Sequence, residues 1–179
     1  MSIDQPRILA IDDDQMVLDF MRPALSHLGF EVITAQGGSE GVALYSERTF
    51  DLVLVDLHMP KMNGIEVIQQ LRAQRADALV IVITGYASVQ SAVEAMKAGA
   101  VDYLTKPMDL DYLRMTVTKT LEHRRQAEEL SLLKDQVANQ SSFEGLIGVS
   151  SEMQEIYALI RRLAEADSGT TVLIQGETG

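Results

Sequence analysis

The 179-residue chain has no cysteine and no tryptophan, and only 4 prolines. Without thiols, neither a disulfide framework nor a thiolate metal site can be built. No stretch approaches the roughly 18 consecutive apolar residues of a membrane-spanning helix, and residues 1–10 lack the pattern of a secretory leader. A cytoplasmic, soluble protein with no membrane partner is therefore expected. Positive charge is scarce as well: 15 Lys and Arg stand against 26 Asp and Glu, for a formal net charge of -11. That balance excludes a nonspecific grip on nucleic acid or on anionic lipid. The one basic cluster, His123-Arg124-Arg125, reads as a solvated helix face, so any DNA contact belongs to sequence outside this chain.

What is present is a 46% share of hydrophobic residues, enough for a buried core. The organising stretch is 50–64. Leu52 to Val55 is wholly apolar, as in a central parallel strand covered on both faces. It delivers Asp56 to its C-terminal end, where open α/β sheets place their ligand crevice. Pro60, Asn63 and Gly64 then form a loop that ends the strand and can open a helix.

Further short strands are expected at 7–11, 30–34, 78–83 and 101–104. The segments between them show helical spacing. Met16, Val17, Phe20, Met21, Ala24, Leu25 and Leu28 form the first pattern, closed by Gly29. Pro23 within it predicts a kink, or a helix held by its packing. A helix over 39–47 would turn Val42, Ala43 and Tyr45 or Ser46 inward, and Ile65, Val67, Ile68 and Leu71 mark the next. Ser88 is placed to cap a helix carrying Val89, Ala92, Val93 and Met96, which Gly99 stops. Asp109 starts a helix with Leu110, Leu113, Val117 and Leu121 on one face. Because β-α crossovers are right-handed and cover both faces, this alternation implies an α/β, flavodoxin-like (βα)5 doubly wound parallel sheet over residues 1–122.

A helical linker follows at 123–142, rich in Glu, Gln, Lys and Arg, with Leu130, Leu133 and Val137 at 3/4 spacing. It extends the last helix, with its final residues 139–142 a break, and is too short to establish a coiled coil. Residues 143–179 begin a second apolar pattern, with a helix over 153–164 and a strand over 170–174. Their length suits a domain cut short.

The chemistry collects at the strand ends. Asp12 and Asp13 follow the first strand, Asp56 the third, Thr84 the fourth and Lys106 the fifth. Crowded carboxylates repel unless a cation neutralises them, and a few hard oxygens suit Mg2+. Asp56 would then act as nucleophile, Lys106 would supply a second cation, and the Thr84 hydroxyl could donate to a phosphoryl oxygen. Taken singly, Asp56 could be a helix cap, Thr84 a turn residue, Lys106 a surface charge and Asp14 a solvated acid. Their joint placement at one sheet edge favours function. His27 and His123 have no partners at ligand or triad spacing, so no zinc site or nucleophilic triad is expected.

Ile8-Leu-Ala-Ile-Asp-Asp-Asp14, Asp51-Leu-Val-Leu-Val-Asp-Leu-His-Met-Pro-Lys-Met-Asn-Gly64, Val82-Ile-Thr-Gly85 and Asp102-Tyr-Leu-Thr-Lys-Pro107 resemble the receiver domain of two-component response regulators, over residues 7 to 122. The resemblance implies that Asp56 is the phosphoacceptor and that Asp12 and Asp13 hold Mg2+, completed by the backbone carbonyl of His58. It further implies that Thr84 and Tyr103 form the switch pair, that Lys106 contacts the acyl phosphate, and that a sensor histidine kinase is the donor. The His58 side chain would overhang the phosphoryl group and tune attack by water, or simply be an exposed loop histidine.

Phe143-Glu-Gly-Leu-Ile-Gly-Val-Ser-Ser-Glu-Met-Gln and Val172-Leu-Ile-Gln-Gly-Glu-Thr-Gly179 resemble the opening of the AAA+ domain of NtrC-family, sigma-54-dependent activators. Gly176 and Gly179 match the start of its Walker A loop, but the lysine that follows is not in the chain. What is expected is thus a phosphorelay regulator and not an ATPase, with ATP relevant to a complete parent protein. RNA polymerase with sigma-54 and DNA would be met only through further domains. A homodimer through the face from the fourth to the fifth helix, or through the linker, is also expected. The alternative is an ATP-hydrolysing activator if the chain continues past Gly179. A flavin carrier fits poorly, because carboxylates stand where its phosphate would sit.

Overall fold

The computed structural model describes residues 5–143, 146–147 and 150–165. The strand expected at 170–174, Gly176 and Gly179 lie outside the described residues. The chain divides into two compact units, residues 1–125 and 126–179.

In the first unit the order is β1 (Arg7–Ile11), α1 (Gln15–Ser26), β2 (Glu31–Ala35), α2 (Gly38–Glu47), β3 (Leu52–Asp56), α3 (Gly64–Gln74), β4 (Val80–Thr84), α4 (Val89–Ala98) and β5 (Asp102–Thr105). Helix α5 (Leu110–Ser141) begins there and continues into the second unit. The expected break at 139–142 is therefore displaced: the helix runs on through Ser141. The second unit also holds β6 (Ser142–Phe143), β7 (Leu146–Ile147), paired antiparallel, and α6 (Ser151–Glu165).

All neighbouring strands of the five-stranded sheet are parallel, in the order β2-β1-β3-β4-β5. Strand alternation sorts the apolar side chains into two cores. Leu9, Val53, Val55, Val80 and Val82 face Tyr45, Val67, Ile68, Leu71 and Ala95 of α2, α3 and α4. Ile8, Leu52, Leu54, Ile81 and Ile83 face Leu18, Met21 and Leu25 of α1 and Leu113 and Val117 of α5. The doubly wound flavodoxin-like architecture is therefore as expected from the alternation.

Several helix faces differ from expectation, α1 and α4 most of all. On α1, Met16 is 80% exposed and Phe20 45%, while Leu18, not among the expected set, is buried. Two overlapping apolar stripes were available, and a sheet surface covers only about 100° of a helix. The helix continues through Pro23, held by the buried Leu18, Met21 and Leu25. On α4 the reversal is larger: Val89, Val93 and Met96 are 84%, 46% and 48% exposed, and the buried contact is Ala95. The small residues Ala92, Ala95 and Ala98 recur at helical spacing too, and they let the helix lie close. Ala43 and Ser46 of α2 are exposed where Tyr45 is buried, Leu110 of α5 is exposed, and Ile156 of α6 is exposed beside the buried Tyr157.

A candidate phosphoryl-acceptor site at the carboxyl edge of the sheet

Register aligns the strand ends. Ile11 pairs with Val55, Asp56 with Ile83 and Thr84 with Thr105, so the residues that follow β1 meet those that end β3 and β4. Asp12, Asp56 and Thr84 are buried, an unusual density of polar side chains for a core edge. Carboxylate oxygens of Asp12, Asp13 and Asp56 all lie within 4.8 Å of one another. The Lys106 ammonium sits 2.6 Å from Asp12 Oδ2 and 3.6 Å from Asp56 Oδ1.

Asp56 Oδ1 is buried and accepts no hydrogen bond. Such an oxygen is costly in the absence of a partner. Burial, above all, pushes the Asp56 carboxyl above its ordinary range; the Lys106 charge opposes this, the Asp12 charge adds to it, and the His58 backbone N–H opposes it. An orphaned oxygen among acidic groups is what a hard divalent cation, an oxygen-loving Lewis acid, would satisfy. The donor set of Asp12, Asp13 and Asp56 fits such an ion.

The loops serve this edge. Asp14, expected to be merely solvated, caps α1, accepting from the Met16 N–H at 2.9 Å, and the Asp14 N–H donates to Asp12 Oδ1. The cap of α3 is Asn63, in a reciprocal box with Glu66, which removes the helix-cap reading of Asp56. Gly64 is obligatory by close approach: a Cβ there would run into the Asp56 carbonyl and Leu57 Cα.

Thr84 Oγ1 lies 3.0 Å from His58 Nδ1 and accepts from the Tyr86 N–H at 3.3 Å, and the His58 and Tyr86 rings meet edge to face at 5.4 Å. His58 is an exposed loop histidine, as the plainer reading had it, and its ring is nonetheless engaged by Thr84 and Tyr86. Tyr103 is partly buried, its hydroxyl 3.0 Å from Ser91 Oγ on α4. Ser91 closes a capping box with Ser88, the helix start expected from sequence. Sequence reasoning passed over Ser91, although its place three residues after Ser88 is the box position. The His58–Thr84 bond left no such local signal, because its partners are 26 residues apart.

A family model described as "Response regulator receiver domain" matches residues 8–118. The chain belongs to that family. The receiver fold also matches a solved CheY-like receiver domain protein from Methanospirillum hungatei at 32% identity and TM-score 0.67, covering 69% of this chain and 99% of that one. The Thermotoga maritima response regulator TrrA, solved in complex with Mg(2+)-BeF, matches at 31% identity and TM-score 0.60, covering 64% of this chain and 98% of that one. Among curated relatives, the alginate biosynthesis transcriptional regulatory protein AlgB of Pseudomonas aeruginosa is 38% identical over 175 residues, 98% of this chain and 38% of AlgB. The transcriptional regulatory protein ZraR of Klebsiella oxytoca is 37% identical over 179 residues, covering 39% of ZraR. The receiver chain thus spans about two fifths of the length of these regulators. No helix among the described residues is long and apolar enough to cross a membrane.

Proposed function

We propose that this receiver is the phosphoacceptor of a two-component phosphorelay, with Asp56 as the acceptor. The observation that carries the reading is the buried Asp56 Oδ1, which accepts no hydrogen bond, is set among Asp12 and Asp13 and is ion-paired with Lys106 Nζ at 3.6 Å. A sensor kinase phosphohistidine would be the donor. The Asp56 oxygen bonds to phosphorus as the donor's P–N bond breaks, and the freed imidazole nitrogen keeps the electron pair and takes up a proton. Mg2+, held by Asp12, Asp13, Asp56 and the His58 carbonyl, would supply charge neutralisation for the transferring group. Lys106 remains as a fixed cation beside the acyl phosphate, and the Thr84 hydroxyl donates to one of its oxygens. Tyr103 responds to that movement of Thr84.

The downstream reading is control of sigma-54-dependent transcription. It is supported by the resemblance of residues 143–179 to an NtrC-family AAA+ opening and by the similarity to transcriptional regulators more than twice as long. ATP, RNA polymerase and DNA would be engaged by domains such as those in the remaining length of these regulators. A homodimer through α4, β5 and α5 is supported by the exposed Val89, Val93, Met96, Tyr112 and Met115.

Incubation with acetyl phosphate and Mg2+, followed by mass analysis, tests the acceptor. One acid-stable, base-labile phosphoryl group is expected, lost with a chelator and in Asp56→Ala; a modification that survives in Asp56→Ala refutes the assignment. Stability gives a second check. Because burial raises the Asp56 pKa, between its ordinary and raised values the native state holds more protons than the unfolded chain. Stability then falls as pH rises through that window, so Asp56→Asn should melt higher than the wild type at neutral pH without divalent cations. A lower melting midpoint would contradict it.

A further inference from the structure

Thr84 is fully buried, and its one hydroxyl proton must have an acceptor. The Tyr86 N–H already donates to Oγ1, at 3.3 Å. Among the described residues no other side-chain acceptor lies in hydrogen-bond reach of Oγ1, so the tautomer that satisfies its proton is an Nε2–H imidazole accepting at Nδ1, 3.0 Å away. The exposed Tyr86 ring meets the imidazole edge to face at 5.4 Å. Thr84 therefore enters any reaction at Asp56 with its proton committed.

We infer that His58 is a positioning residue that competes with the phosphoryl group for the Thr84 hydroxyl proton and so sets the resting state of the site. The inference rests on the reading of Asp56 as acceptor and of Thr84 as donor to the acyl phosphate. A hydroxyl has one proton to give, so it donates to Nδ1 or to a phosphoryl oxygen and not to both. Each phosphorylation must then break the His58–Thr84 bond. The released ring has somewhere to go: a cleft of about 510 Å³ beside it is lined by His58, Asn63, Ile65, Glu66, Gln69 and Glu94, from the β3–α3 loop, α3 and α4. That cleft also touches Ser91, the partner of the Tyr103 hydroxyl. Movement of the imidazole into it would reach the second switch residue along the same surface.

The competition has a measurable sign. Removing the acceptor should favour the phosphorylated state, because Thr84 no longer gives up a bond to reach it. A typical net hydrogen bond makes the effect about fivefold. Beryllofluoride, which occupies the phosphoryl position, is the probe, titrated with Mg2+ against the full chain. In His58→Ala its apparent affinity rises about fivefold. His58→Asn keeps an acceptor atom at the δ position and returns the affinity toward wild type. In the Thr84→Ala background the effect of His58→Ala vanishes. Each variant is titrated at Mg2+ concentrations that saturate it, as judged by Tyr fluorescence or magnetic resonance shifts, so that a change at the loop carbonyl drops out of the beryllofluoride comparison. Nitrogen-15 spectra of the wild-type imidazole should show an Nε2–H tautomer that loses its Nδ1 bond when beryllofluoride is added.

An equal or weaker beryllofluoride affinity in His58→Ala overturns the inference while leaving the acceptor reading intact. So does the same change in the Thr84→Ala background, or an Nδ1–H tautomer in the unloaded protein. Failure of the wild type to take up beryllofluoride at all overturns the acceptor reading, and the inference with it.

Discussion

Helices α3 and α4 are near neighbours of similar length, yet they are held to the sheet by different means. Helix α3 buries Val67, Ile68 and Leu71 and starts at a reciprocal Asn63–Glu66 box. Helix α4 buries only Ala95, while Val89, Val93 and Met96 face out. Burying a Val, Ile or Leu side chain contributes about 1.5–3 kcal/mol, against about 0.8 for one methyl-sized group. The polar attachments of α4 are correspondingly prominent: the Ser88–Ser91 box and the Ser91–Tyr103 contact. The difference teaches which element can move. A helix tied by one buried alanine and a hydroxyl pair can shift at low cost, and Tyr103, proposed above to respond to Thr84, is one end of that tie. A helix anchored by large side chains cannot, and α3 carries the loop that shapes Asp56.

The contrast can be broken most severely at Leu71. Leu71→Ala should cost about 3 kcal/mol in urea denaturation, since a fully buried leucine leaves a cavity behind. A loss under about 1 kcal/mol would mean that α3 is not the firmer helix. Next is Ala95→Leu, which forces extra volume under α4 and should cost about 2 kcal/mol. An unchanged denaturation midpoint would reveal slack beneath α4 and sharpen the view that it is loosely seated. Ser91→Ala removes the side-chain half of the box, the bond from the Ser88 N–H, and the Tyr103 partner, for about 1 kcal/mol. Its more telling readout is amide exchange, which should quicken along α4 and not along α3; equal quickening in both helices would end the distinction. Smallest is Val93→Ala, on the exposed face, expected within about 0.5 kcal/mol of wild type. A larger loss would show that this face is covered in solution, as by a second copy of the chain.

The same pair of helices shows how far sequence reasoning reached. On α3 the apolar spacing left one stripe to choose, and Val67, Ile68 and Leu71 are buried as expected. On α4 two stripes competed, one of large residues and one of alanines. Hydrophobicity alone favours Val89, Val93 and Met96, while the close approach of α4 to the sheet selects Ala95. Met16 and Phe20 misled on α1 for the same reason. At the site, Asp12, Asp13, Asp56, Thr84 and Lys106 were legible because each ends a strand or follows one, and parallel strands in register bring such positions to one edge. Asp14 as a cap, Gly64 as a close-approach glycine and Ser91 as the Tyr103 partner became visible only with the chain folded.

The sequence by itself determined the alternation of strand and helix, and with it the sheet and the edge where its carboxylates collect. Period and chain order suffice for that, because apolar runs and right-handed crossovers leave few alternatives. Only the tertiary structure decided how those groups are partnered: Asp56 Oδ1 without a hydrogen bond, Lys106 drawn closer to Asp12, at 2.6 Å, than to Asp56, at 3.6 Å, and Thr84 bonded to His58 rather than to Tyr103. Hydrogen bonds and burial act over a few ångströms between residues far apart in the chain. No local pattern encodes which acceptor a buried proton meets first.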